Sequence, residues 1–191
     1  MILGSHNSWS YLPPKKWWMW PFTFMAKCQS VPIKEQYDLG VRCFDLRIRH
    51  RKDGRITVAH GAMEYNIDLK GLCEQLEWLN ARKDVSIRVI HEVRRKSQYT
   101  EKAIEDFQRD CRILQVGYPF IKFWGGRNLY NWKEDFSFKY KPSCMEKYSS
   151  VCLPKVIDDW WPWLYAKTHN RKLMQEGTEK NILMIDFINI R

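Results

Sequence analysis

The segment Val41-Arg-Cys-Phe-Asp-Leu-Arg-Ile48 cannot lie at a protein surface. Read as a strand, it puts Val41 and Cys43 on one face and Phe44, Leu46 and Ile48 on the other. An extended segment that is apolar on both faces belongs in a sheet covered on both sides, as in α/β proteins built on parallel strands. The rest of the chain fits. Strand patterns at 2–5, 55–59, 85–90, 118–124, 136–140 and 181–190 alternate with helical ones at 33–39, 67–82, 100–115 and 158–175. In the helix over 67–82, Leu69, Leu72, Leu76 and Leu79 recur at helical spacing and Cys73 widens the stripe. Thr100 is placed to cap the next helix, and Pro162 falls in the first turns of the last one. Prolines break up residues 11–30 and exclude a long helix there. Such alternation predicts an α/β domain with a mainly parallel sheet.

Three strand ends carry unusual residues. Leu3-Gly-Ser-His-Asn-Ser-Trp9 runs into His6, Gly40-Val-Arg-Cys-Phe-Asp-Leu-Arg47 brings Asp45 and Arg47, and Thr57-Val-Ala-His-Gly61 ends on His60. An Asp53-Gly54 turn joins the last two. Two histidines and an arginine on strands of one sheet can cleave a phosphodiester by acid–base catalysis without a metal. Functional residues at strand C-termini favour a (β/α) barrel, whose active site lies on that face. Such barrels need roughly 200–250 residues. A single domain over all 191 residues would therefore be a compact or incomplete barrel.

The formal charge of +10 implies an anionic partner. Ten Trp, nine Tyr and nine Phe beside it suit a membrane interface. No nucleic-acid motif accompanies the charge, so no nucleic acid is expected as a partner, and no obligate protein partner is evident. No signal sequence or transmembrane run is visible, which predicts a soluble or peripheral protein. The six cysteines have neither CxxC nor zinc spacing, and Cys43 and Cys73 read as buried thiols. His50 and His169, among polar neighbours, read as solvated.

With these blocks in view, the chain resembles the X-domain family of phosphatidylinositol-specific phospholipases C along nearly its whole length. Gly4-Ser-His-Asn-Ser8, Gly40 to Arg47 and His60-Gly61 resemble the first three motifs, and Tyr140 to Lys147 and Ile185 to Asn189 resemble later blocks of the bacterial branch. The resemblance implies a distorted TIM-like barrel. It implies that His6 is the general base for an inositol hydroxyl and His60 the general acid for the leaving glycerol oxygen. Arg47 would hold the phosphate, Asp45 would position Arg47 and the attacking hydroxyl, and Asp186 would fix the His6 tautomer. An arginine at position 47 replaces the calcium of the eukaryotic branch, so no metal or other cofactor is expected.

Asn7 stands where bacterial members carry Asp, and would orient His60 by a hydrogen bond. Phe138 stands where an inositol-contacting Asp is usual. His91, Glu92, Arg127 and Tyr140 are further candidates for substrate contact, with Arg109 a second candidate for a missing family arginine. These departures keep two alternatives open: a different headgroup, or a catalytically impaired lipid- or polyanion-binding module. Lys15, Lys16, Trp17, Trp18 and Trp20 form a candidate docking loop for a phospholipid substrate at an anionic membrane surface, the competing reading being a packed lid.

Overall fold

In the computed structural model, the structure describes residues 2–51, 53–93, 98, 100–125, 146–148, 161–176 and 182–190. Its strands are β1 (Ile2–Ser5), β2 (Cys43–His50), β3 (Ile56–His60), β4 (Met63–Glu64), β5 (Ser86–His91), β6 (Lys122–Gly125), β7 (Glu146–Tyr148) and β8 (Ile182–Ile185). The α-helices are α1 (Thr23–Ala26), α2 (Ile33–Asp38), α3 (Leu69–Asn80), α4 (Glu101–Gly117) and α5 (Pro162–Glu176). Short 3-10 turns at Ser8–Tyr11 and Trp17–Phe22 fill the proline-rich region, in line with the exclusion of a long helix.

The fold is mixed α/β. β2 pairs in parallel with β1 and β5, β5 with β6, and β8 with β1 and β7. Among the described strand pairings, the β2–β3–β4 hairpins are antiparallel, and a single antiparallel bridge joins Pro14 to Tyr65. Neighbours thus follow chain order, with the last strand beside the first. Among the described residues the sheet is open between β6 and β7.

β2 is buried on both faces, as its composition requires. Phe44, Leu46 and Ile48 join Ile87, Val89, Leu72, Leu76, Leu79 and Phe107 in the main core under the helices. On the opposite face, Cys43 packs with Trp124, Ile182 and Met184. That inner layer explains Gly4: a Cβ there would come within 2.3 Å of Met184 Sδ. Above it, the inner positions of the strands turn charged, with Asp45, Arg47, Arg49 and Arg88 all buried.

Several boundaries differ from expectation. Leu69, expected in the buried stripe of α3, is exposed because Asp68 caps the helix through the Gly71 N–H and leaves Leu69 in the first turn, away from the sheet. Thr100 caps α4 as expected, accepting from the Ala103 N–H. The last strand stops at Ile185 instead of running to Ile190. Phe187 takes a positive φ of 45° and gives its N–H to the Cys28 carbonyl, which takes the chain off the sheet edge. The strand expected at 136–140 lies outside the described residues. No helix among the described residues is long and apolar enough to cross a membrane. Cys28, Cys43, Cys73 and Cys111 are free thiols, with Cys73 only half-buried.

Candidate active site

β1 and β8 end side by side, next to the stretch of β2 that carries Asp45, and a set of polar side chains fixes how. Gln29 gives its side-chain N–H groups to the His6 and Ile185 carbonyls and accepts from the Ile188 N–H. It ties the end of β1 to the end of β8. Asn170 on α5 donates to the Asp186 carbonyl at 2.7 Å, and Ser8 Oγ accepts from the Asp45 N–H at 2.8 Å. These bonds present His6, Asp45 and Asp186 to one point.

His6 is buried between an acceptor and a donor. Its Nδ1 lies 2.7 Å from Asp186 Oδ1 and its Nε2 2.6 Å from an Arg47 NH2 group. A guanidinium can only donate, so Nε2 accepts and Nδ1 carries the proton given to Asp186. That is the neutral tautomer a general base needs. Arg47 also donates through Nε to Asp45 at 2.9 Å and approaches Glu92 Oε2 at 3.5 Å. Burial opposes ionisation of Asp45, but the Arg47 and Arg88 guanidiniums, His6 and the Asn7 N–H outweigh it and hold the carboxyl well below its usual range. Burial likewise works against the Arg47 charge, and Asp45 and Glu92 more than offset it.

His60 lies across from His6, with ring centroids 5.8 Å apart and the rings nearly perpendicular. The turn after it is fixed by Gly61, whose φ of 55° suits glycine. The Gly61 N–H donates to Glu92 Oε1 at 2.8 Å and its carbonyl accepts from Arg49. His60 Nδ1 donates to the Ala26 carbonyl at 3.1 Å. Burial, then the Arg47 charge, push His60 down to about 4.

Asn7 does not orient His60 as the sequence suggested. Its left-handed backbone, φ 44°, turns the side chain toward Tyr65 Oη at 3.3 Å, and its backbone N–H goes to Asp45. His91 is also placed otherwise. It is the outward neighbour of Arg88 and Ile90 on β5, stacked on Phe107 of α4 with centroids 4.8 Å apart and 3.4 Å from His50. Burial, then His50, push it down to about 4. His50 is not solvated but held by Asp110 at 2.6 Å. Glu92, one residue on, faces the site. Arg109 is exposed on α4 and pairs with Asp106. Arg127, Phe138 and Tyr140 lie outside the described residues.

Arg88, Gln29, Ser8 and Asn170 were missed. Arg88 had a signal, a charge inside an apolar strand like Asp45 and Arg47. Gln29 and Asn170 had none, since a lone Gln in a loop or a lone Asn on a helix looks the same in sequence whether buried or exposed. The candidate docking residues are strongly exposed: Trp17 81%, Trp18 51% and Trp20 58%. Met19 between them packs on the core. Phe24 extends the aromatic surface to Trp161, centroids 6.0 Å apart.

Among the described residues, one group of three potential metal ligands gathers within 4.8 Å: His6, Cys28 and His60. Burial, then the Asp186 charge, push the Cys28 thiol well above its ordinary range.

Residues 21–90 match the family model for the phosphatidylinositol-specific phospholipase C X domain. The match holds Asp45, Arg47 and His60; His6 and Asp186 lie outside it. No curated protein sequence matches the chain. Among solved structures, phosphatidylinositol-specific phospholipase C from Listeria monocytogenes is similar, with a TM-score of 0.63 at 17% identity, covering 97% of this chain and 87% of that one. A double mutant of the Staphylococcus aureus enzyme gives 0.63 at 15% identity, with 97% and 84% covered. Another structure of that enzyme gives 0.58 at 14%, with 97% and 85% covered. The chain thus carries the X-domain sequence pattern over residues 21–90 and has the fold of the bacterial phosphatidylinositol-specific phospholipases C.

Proposed function

We propose that the protein is a metal-independent phosphodiesterase that cleaves phosphatidylinositol-type lipids at a membrane surface, on a compact, incomplete (β/α) barrel. The observation that carries this reading is His6 held between Asp186 and Arg47, with His60 facing it. The lipid phosphate takes the place of the contact between Arg47 and His6, so that Arg47 holds a phosphate oxygen and frees the Nε2 lone pair. Nε2 then accepts the proton of the inositol 2-hydroxyl, whose oxygen attacks phosphorus. The bond from phosphorus to the glycerol oxygen breaks, and His60 gives that oxygen a proton. Diacylglycerol leaves, and a cyclic inositol phosphate remains. Arg47 offsets charge on the phosphoryl oxygens as it builds up. Asp186 stabilises the imidazolium that His6 becomes.

His60 must be protonated to act. Its low affinity for a proton comes from burial and from the Arg47 charge. A bound phosphodiester anion neutralises Arg47 and restores that affinity. The aromatic surface of Trp17, Trp18 and Trp20, with Lys15 and Lys16, serves as the membrane dock. Because α1 follows directly and its Ala26 carbonyl holds His60, dock and acid are joined by a few residues. A test is the NMR titration of His60 with and without inositol 1-phosphate. Its pKa should rise by a unit or more on binding; an unchanged titration would remove the acid from the mechanism.

One observation favours a second reading, a catalytically impaired lipid-binding module. The partner of His60 Nδ1 is a backbone carbonyl and not a carboxylate. Vesicle binding without turnover would establish it.

A further inference from the structure

His6, Cys28 and His60 each bring one ligand atom to within 4.8 Å of the others. Cys28 has no part in the proton transfers above, yet its Sγ lies 3.9 Å from His60 Nδ1 and beside the Ala26 carbonyl that holds that ring. Both imidazoles are already held as metal-binding histidines are held. Each gives its Nδ1 proton to an oxygen, Asp186 for His6 and the Ala26 carbonyl for His60. Such bonds fix the tautomer and raise ligand basicity; Arg47 now holds His6 Nε2, and the Cys28 sulfur approaches His60 from its Nδ1 side. The fixed charges close by, the Asp45, Asp186 and Glu92 carboxylates against the Arg47, Arg49 and Arg88 guanidiniums, balance, so a divalent ion with one thiolate adds a single net positive charge.

We propose that His6, Cys28 and His60 form a site for a thiophilic divalent cation, Zn²⁺ first among them, and that its occupation reversibly shuts off the phosphodiesterase. Binding stands on the geometry alone; the inhibition rests on the function proposed above. Two imidazoles and a thiolate are a zinc donor set, with a fourth position for water or a phosphate oxygen. Bond lengths of about 2.0–2.3 Å place tetrahedral ligand atoms about 3.3–3.6 Å apart. From separations of up to 4.8 Å the three ligand atoms therefore close by at most about 1.5 Å, and Arg47 gives up His6 while keeping Asp45. The thiol proton passes to solvent as the Zn–S bond forms. With both rings bound to the cation, neither histidine can move a proton. Calcium and magnesium, which prefer oxygen ligands, do not compete.

The probe is Co²⁺, whose bond to a thiolate gives a near-ultraviolet charge-transfer band. The wild-type protein should develop the band with one equivalent of Co²⁺ and lose it to one equivalent of Zn²⁺. Cys28→Ser and Cys28→Ala should show none. A wild-type protein without the band, or a band that persists in both variants and so belongs to another thiol, overturns the site. In turnover assays, Zn²⁺ that slows the wild type at least tenfold should leave both variants within twofold of their own metal-free rates, and EDTA should restore the wild type. Equal inhibition of wild type and variants overturns the proposed control. Should the wild type turn over no phosphatidylinositol, the phospholipase reading fails, and the cobalt band still decides the site.

Discussion

Asp186 lies 2.7 Å from His6 Nδ1 and Arg47 2.6 Å from Nε2, so the ring is set by two charges of opposite sign. Asp186→Asn is close in shape but lacks the charge that stabilises the imidazolium. It should fold and lose activity by about 100-fold or more, as should His6→Ala and His60→Ala, the usual scale for a lost acid or base. Near-wild-type turnover in a folded Asp186→Asn protein would leave Asp186 a structural residue. The buried histidines also carry a pH signature. His60 and His91 both have folded pKa values depressed to about 4, against about 6.5 in an unfolded chain. The unfolded state then binds more protons between those values, so stability is fully present above about pH 6.5 and falls as pH drops toward 4. Asp45, also depressed, adds its loss only below the unfolded carboxylate range near 3.9. Urea midpoints should decline from pH 7 to pH 4, and His91→Phe should flatten part of that slope. Midpoints that hold level over this range would mean that these rings are better solvated than their burial indicates. At this scale the sequence was informative where a charge interrupted an apolar strand, as at Asp45, Arg47 and Asp186. It was silent on Asn7, whose role depends on a backbone φ of 44° that turns the side chain to Tyr65.

β2 could be read from sequence because burial on both faces leaves a strong apolar signature, and α3 because Leu72, Leu76 and Leu79 share one stripe. The end of β8 could not, because the apolar run continues through Phe187 and Ile188, which are buried after the chain has left the sheet. Only a tertiary contact, the Phe187 N–H to the Cys28 carbonyl, marks the stop. Gly4 in β1 offers a test of the inner layer. Gly4→Ala places a methyl 2.3 Å from Met184 Sδ and 3.3 Å from the Cys43 carbonyl. Overpacking of this kind costs about 1–3 kcal/mol, which denaturant unfolding can measure; no loss would mean that Met184 swings aside freely. The turn over Trp17–Phe22 makes the other prediction for an element. Its tryptophans are exposed while Met19 anchors it, as the proposed dock requires. Changing Trp17, Trp18 and Trp20 together to alanine should weaken binding to anionic vesicles at least tenfold and slow hydrolysis of bilayer substrate. A soluble short-chain substrate should be affected much less. Equal losses on both substrates with vesicle binding intact would make the loop part of the core.

The whole molecule combines a sheet whose neighbours follow chain order, a charged cluster at the ends of its central strands, and an exposed aromatic surface beside that cluster. The net charge of +10 adds a long-range attraction to anionic membranes that salt should weaken. Substrate, chemistry and metal independence meet in one measurement, phosphorus NMR of the purified protein with phosphatidylinositol vesicles in the presence of EDTA. The account predicts a cyclic inositol phosphate resonance that grows as the lipid signal falls, with no growth in His6→Ala. A lipid signal that stays constant until calcium is supplied, or a first product that is an acyclic phosphate, would contradict it.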